Sequence, residues 1–185
     1  YPLIEEAEPL EKILENYKKE HVIKQGQMMA AKLGLTQYES VTDAPLIEEL
    51  LQVLQVAETD MTIFFRNLAN INAHDLGSEN QDSQKTDLED QSDEFLLAPL
   101  MEAYYHPDAL GTKEKSRIAH WLRQYINRLN QDDVSHEDKY NSMNAVNPKY
   151  VLRNYLAQLA IDKSEQGDHS MVNELLEVLR KRWRN

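Results

Sequence analysis

The sequence predicts an all-α protein, a bundle-like array of about seven or eight helices, and three observations carry that prediction. Apolar residues recur at the i, i+3, i+4, i+7 spacing of a buried helix face through most of the 185 residues. Cap signals stand in front of these stripes, and two glycines, Gly34 and Gly167, stand behind them where a left-handed C-terminal residue is expected. The chain is also long enough to bury a real core, since a domain near this size removes roughly 70% of its unfolded surface from water. It needs no staples and has no cysteine, which excludes disulfides and thiolate-bound metals.

Glu8-Pro9 opens the first helix, with Leu10, Ile13, Leu14 and Tyr17 inward, and Met28 and Met29 read as core filler before Leu33. Gly26 interrupts this helix and marks a bend. Thr42-Asp43-Ala44-Pro45 announces a second helix burying Leu46, Ile47, Leu50, Leu51 and Leu54. Thr59-Asp60 caps a third, with Met61, Phe64, Phe65 and Leu68 inward. Their connection of about four residues makes the two antiparallel neighbours. Arg66 reads as a solvated or salt-bridged cation rather than a ligand contact.

From about Asn70 to Asp93 the apolar pattern collapses. Low hydrophobicity with one-signed charge cannot bury enough area to offset the entropy of ordering, so residues 76–94 read as an acidic flexible connection between helical segments 1–75 and 95–185 of one domain. A calcium site there would need organised ligand spacing and a turn glycine. The charge follows the same division. The formal net charge of -12 resolves into -7, -6 and +1 for the three stretches, so the last is neutral to slightly basic.

Order resumes with Phe95, Leu96, Leu97, Leu100, Met101, Tyr104 and Tyr105, where Pro99 starts or kinks a helix. Thr112 or Ser116 caps the most regular amphipathic helix, whose face is Ile118, Trp121, Leu122, Tyr125, Ile126 and Leu129. Ser135 and Asp138 resemble a capping box opening a short helix through Tyr140 and Met143. Asn147-Pro148 then reads as a strong helix start, Asn147 capping and Pro148 in the first turn, with Leu152, Tyr155, Leu156, Leu159 and Ala160 buried and a stop at Gly167. Asp168 caps the last helix, with Val172, Leu175, Leu176 and Leu179 inward. Its basic end, Arg180 to Arg184, suits the negative pole of a helix.

Tests for chemistry are mostly negative. The acidic balance argues against nucleic acid, and no apolar run approaches the 18 or so residues of a membrane helix. The opening Tyr1-Pro2-Leu3-Ile4 is neither a signal nor a transit peptide, and a chain that opens on Tyr1 reads as a piece of a longer one. The five glycines are too scattered to cradle a phosphate. His136-Glu137-Asp138-Lys139-Tyr140 has half of a zinc-protease helix, with Tyr140 where the second His belongs. Asp162 to Ser170 places oxygen ligands and Gly167 as a calcium loop would, but Asn173 stands at the twelfth position, so a glycine-terminated helix followed by an Asp cap explains the same residues.

The run from Met143 through Asn147-Pro148-Lys149-Tyr150 to Ala157 resembles the C-terminal signature of the selenoprotein O family, the kinase-like protein adenylyltransferases. Met29-Ala30-Ala31-Lys32-Leu33-Gly34-Leu35 and Asp60 to Leu68 resemble two more blocks of that family in the same order; the acidic stretch 76–94 has no counterpart. The resemblance implies the C-terminal helical portion of a kinase-like protein that transfers AMP from ATP to Ser, Thr or Tyr hydroxyls of proteins. The family's nucleotide and metal blocks, with a Gly-Met-Asn-Thr-Asp-Asn pattern, lie before Met29 and do not occur here. Met143-Asn144-Ala145 lacks the carboxylate such a site needs.

The resemblance therefore implies no catalytic, cofactor-binding or metal residue in this chain, with ATP and Mg2+ or Mn2+ belonging to the full-length protein. Its partners are the N-terminal kinase-like domain and protein substrates, with no nucleic acid and no membrane. The compartment is the cytoplasm in a bacterium, or the mitochondrion in a eukaryote. Lys149, Arg153 and Asn154 have no chemical partner evident within the chain and are the candidate interdomain contacts. The alternative is a stand-alone helical protein-interaction module without catalytic activity.

Overall fold

The computed structural model describes residues 7–72, 88 and 91–181. Among them are eight α-helices: α1 (Glu8–Lys32), α2 (Ser40–Val53), α3 (Met61–Ala69), α4 (Asp93–Leu97), α5 (Thr112–Leu129), α6 (His136–Val146), α7 (Asn154–Glu165) and α8 (Ser170–Arg180). Two 3-10 segments, Ala98–Ala103 and Pro107–Ala109, link α4 to α5. The architecture is all-α, as the periodicity predicts. The one extended pairing among the described residues is an isolated bridge between Thr59 and Tyr104.

The core is built around α5, whose predicted face, Ile118 through Leu129, is buried in full. Trp121 and Tyr125, one turn apart, stack with ring centroids 5.4 Å apart and planes at 6°, and Phe64 of α3 lies 6.1 Å from Trp121. Buried aromatic tips need hydrogen-bond partners. The Trp121 indole donates to the Leu46 carbonyl at 3.0 Å, and the Tyr125 hydroxyl donates to the Leu33 carbonyl at 2.8 Å. Around this axis α2 packs on α1 and α5, while α3 packs on the first 3-10 segment and α6. Residues on both sides of the acidic stretch thus share one buried cluster.

An ion network ties the α1–α2 connection to α5. Arg128 donates to Asp43 at 2.7 Å and to Asp132 at 2.8 Å, and Asp132 in turn accepts from the amide and hydroxyl of Thr36 at 2.8 and 2.9 Å. Burial works against the Arg128 charge, but the bonds to Asp43 and Asp132 outweigh it and hold the pKa above its ordinary value. The same balance, led by burial and overturned by Thr36 and Arg128, lowers that of Asp132. Asp43 is completely buried and also accepts from the Glu39 amide at 2.7 Å, which starts α2 at Ser40, ahead of the expected cap.

Several expectations are corrected. The helix does not start at Asn147-Pro148: Asn147 ends α6 in an extended conformation, φ -97° and ψ 108°, because a residue before proline is driven out of the helical region, and α7 begins only at Asn154. Leu10, Ile13, Leu14 and Tyr17 are exposed, since no other described element covers the first turns of α1. Gly26 does not interrupt α1. It lies buried within the helix, where a Cβ would meet the Tyr38 ring at 2.3 Å. Of the methionine pair, Met29 is buried and Met28 is exposed. α2 and α3 take other helices as their principal neighbours because each stripe is claimed by α5 or α6. Met61 is exposed at the start of α3, and the cap of α5 is Gly111, the Ser116 hydroxyl instead donating to Asp93 at 2.6 Å.

Most of the stretch expected to be a flexible connection lies outside the described residues. Its far end does not: Leu88 is buried in the core and Asp93-Glu94 open α4.

The Arg128 network makes a quantitative statement. Arg128→Ala strands a buried carboxylate and should lower urea-unfolding stability by about 3–5 kcal/mol. The double variant Asp43→Leu/Arg128→Met, which strands no charge at Asp43, should lose clearly less; an equal or greater loss contradicts the assignment.

Candidate functional site

The signature stretch 143–154 sits where three helix C-termini converge, those of α1, α3 and α6. The last four carbonyls of a helix have no intrahelical partner, and here they are satisfied from elsewhere. At the end of α1, Gly34, at φ +73°, and Leu35 donate back to Ala31 and Ala30 at 3.2 and 3.0 Å, a Schellman arrangement. The next two carbonyls are taken by distant side chains, Leu33 by Tyr125 and Lys32 by the Asn147 amide at 2.9 Å. Lys32 returns the bond, its ammonium donating to Asn147 Oδ1 at 3.1 Å while lying 5.1 Å from the Phe65 ring centroid.

Two further cations serve the other helix ends, in keeping with the negative pole there. Half-buried Arg66 donates at 3.3 Å to the Asn147 carbonyl at the end of α6. Lys139, 5% exposed, donates to the Ile71 carbonyl just past α3. Burial pushes the Lys139 ammonium down to about 8 and lowers that of Lys32 as well. No sequence pattern marks either lysine for this role, and Asn147, which reads as a helix cap, is a clamp.

Of the three candidate contact residues, Arg153 has a partner after all. It crosses to the start of α3 and pairs with Asp60, because Asp60 uses Oδ1 to cap α3, accepting from Thr62 and Ile63 at 2.9 and 3.1 Å, and keeps Oδ2 free to receive the guanidinium. The Tyr105 hydroxyl donates to the same oxygen at 3.4 Å. Lys149 is exposed, its ammonium 5.8 Å from the Tyr150 ring centroid, and Asn154 is the exposed first residue of α7. Arg153 anchors the hairpin, and the other two stand on the surface.

Beyond Arg153, α7 and α8 form a hairpin whose principal helix contact is with each other. Its sharp turn at Gly167 is the predicted one, at φ +83°, with Gly167 and Asp168 donating back to Ser164 and Lys163 at 3.0 Å each; Asp168 Oδ1 accepts from Ser170 at 2.9 Å, but the N-cap of α8 is His169, one residue later than the expected Asp168 cap. The residues of the calcium-like spacing are therefore explained by helix termination. Each helix carries two apolar strips. Leu156, Met171, Leu175 and Leu179 are half-buried and Ala160 is buried. Leu152, Tyr155 and Leu159, with Val172 and Leu176, remain 43–65% exposed, contrary to the burial expected of them. Periodicity reveals that a helix has an apolar face; it does not reveal whether the covering element belongs to the same chain.

Among the described residues no three acidic or imidazole side chains converge as a metal site requires, and no helix is long and apolar enough to cross a membrane.

The family model described as protein adenylyltransferase SelO matches residues 2–180. A protein nucleotidyltransferase YdiU of Rhodopirellula baltica is 47% identical over 183 residues, covering 97% of this chain and 32% of its own length. The proteins of the same name from Flavobacterium johnsoniae and Aromatoleum aromaticum are 41% and 39% identical, covering 98% and 97% of this chain and 31% and 30% of their own. The chain thus spans about a third of the length of the curated relatives it matches.

The buried amine at the junction has a pH signature. An unfolded lysine keeps its proton to about pH 10.4, whereas folded Lys139 loses it near 8, so between these values the unfolded chain binds more protons and stability rises with pH. Unfolding free energy should increase by about 2 kcal/mol from pH 8 to 10, and Lys139→Met should remove most of the increase. Lys32 contributes in the same direction. Above pH 10 the gain is opposed, because burial pushes Tyr104 up to about 12 and the fold retains a proton that the unfolded chain releases. A flat or falling profile from pH 8 to 10 contradicts this.

Proposed function

Because the chain belongs to the family of protein adenylyltransferase SelO, we propose that it forms the helical C-terminal region of an enzyme that transfers AMP from ATP to Ser, Thr or Tyr hydroxyls of proteins. Relatives named as protein nucleotidyltransferases support the class of reaction. In this reading the region's own task is mechanical. It docks on a kinase-like domain outside this chain, which carries ATP and Mg2+ or Mn2+, and no step of the transfer is assigned to a residue described above.

The observation that carries the docking is the apolar strip of Leu152, Tyr155, Leu159, Val172 and Leu176 on a hairpin anchored by the Arg153–Asp60 pair. Large apolar side chains exposed together on one hairpin mark a contact surface, and roughly two-thirds of the relatives' length lies outside the matched region. The first turns of α1, with Leu10, Ile13, Leu14 and Tyr17 exposed, offer a second such surface.

Titration calorimetry tests the assignment. The isolated chain should give no magnesium-dependent ATP isotherm, whereas the full-length protein should give one. In the full-length protein Leu159→Asp with Leu176→Asp should lower stability by about 1.5–3 kcal/mol for each side chain removed from the interface, and should leave the isolated chain nearly unaffected. A clear isotherm from the isolated chain overturns the reading, and an equal effect of the double substitution on both proteins favours a stand-alone interaction module.

A further inference from the structure

Two of the ion pairs that bridge distant elements differ in what their separation leaves behind. The side chains of Arg128 and Asp43 are 7% and 0% exposed, so parting them leaves a buried carboxylate without its countercharge. Those of Arg153 and Asp60 are 43% and 10% exposed. When Arg153 leaves, its guanidinium passes into water and Asp60 is not stranded, because Oδ1 keeps the Thr62 and Ile63 amides and Oδ2 keeps the Tyr105 hydroxyl. The first pair is a strut; the second can open without orphaning either charge.

The chain on the N-terminal side of Arg153 is free to turn. Lys149, Tyr150, Val151 and Leu152 are exposed and lie outside any helix, and no backbone hydrogen bond from residues 148–152 reaches the body among the described residues. Pro148 fixes φ at the head of this run, which leaves the rotation to residues 149–152. Beyond it, α7 and α8 are each other's principal neighbours, and Ala160 is the one residue of the two helices that is buried. The other side-chain hydrogen bonds of the hairpin, Gln158 to Asp162 and Ser164 with His169 among them, stay within it. Arg153 is the side chain that crosses to the body. We propose that the α7–α8 hairpin is a hinged arm that turns on residues 149–152 and is latched to the body by Arg153 on Asp60, the latch opening when salt screens the pair. Latched, the arm holds the strip of Leu152, Tyr155, Leu159, Val172 and Leu176 at one bearing; released, it presents the strip over a range of bearings. This deepens the function proposed above by regulating the docking surface itself, and it rests on that reading only for what the arm meets.

The chain has no cysteine, so nitroxide labels placed through Asn127→Cys on α5 and Glu174→Cys on α8, both exposed positions, report a single body-to-arm distance by pulsed electron spin resonance. One narrow distribution is expected at about 0.01 M salt, and a broad one at about 1 M, where the screening length falls to about 3 Å. Arg153→Gln should be broad already at low salt, with the unlatched fraction raised about fivefold. Arg153→Lys, which keeps the charge, should be narrow at low salt and broad at high salt. Arg117→Gln, which opens the exposed pair with Glu49 within the body, should behave as the parent chain does. Distances that stay narrow at both salt concentrations and in Arg153→Gln overturn the proposal, since packing then holds the arm. Distances as broad in the parent chain at low salt as in Arg153→Gln overturn it too, since there is then no latch. The salt series needs no Arg153 variant, so it decides the matter even where a variant misfolds. All the distances are read on the chain by itself, so failure of the latch and failure of docking on a kinase-like domain are separate results.

Discussion

The exchange of hydrogen bonds between Lys32 and Asn147 is the constraint on which the rest of the molecule depends. A buried helix end must find donors for its free carbonyls, and three such ends meet here. Asn147 and Tyr125 serve α1, Lys139 serves the end of α3, and Arg66 serves the end of α6. Residues 115 positions apart are thereby locked together, which sets the first three helices against the last four. Gly34 belongs to the same joint. Its positive φ closes the Schellman turn, and a Cβ there would lie 2.8 Å from side-chain atoms of Lys139 and Met143. The joint is close-packed as well as hydrogen-bonded.

Pro148 gains its meaning from this joint. It ends α6 and turns the chain into an extended run that carries Arg153 to Asp60, from which the α7–α8 hairpin starts. The signature stretch is a connector, holding a body of buried helices on one side and presenting an apolar hairpin on the other. Such an arrangement suits a region whose task is to pack against and orient another body. The half-buried pair of Arg153 with Asp60 fixes the bearing of the hairpin.

Much of the fold was legible in the sequence where one chain supplied both sides of the contact. The stripe of α5, the Asp60 and Ser135 caps, and the turns at Gly34 and Gly167 were read correctly, because period and capping are local properties. The misreadings have a common cause. Asn147-Pro148 fits both a helix start and a helix stop, and only the tertiary partner of the Asn147 side chain decides between them. Leu10, Tyr17, Tyr155 and Leu159 carry the periodicity of buried faces but remain in water, so periodicity reported an apolar surface without saying what covers it. The lysines at the joint left no sequence signal at all, since a buried Lys139 looks like any surface lysine until the Ile71 carbonyl is placed beside it. Neither the paired Arg153 nor the exposed Lys149 and Asn154 could be sorted from spacing alone.

The central claim, that the hairpin is an interface completed by polypeptide outside this chain, is tested most directly by amide hydrogen exchange of α7 and α8 in two settings, the isolated chain and the full-length protein. The account predicts rapid exchange of Tyr155 to Ile161 and Val172 to Val178 in the isolated chain, against slow exchange in α5, and strong protection of all three helices in the full-length protein. Equal protection of the hairpin in both settings would contradict it.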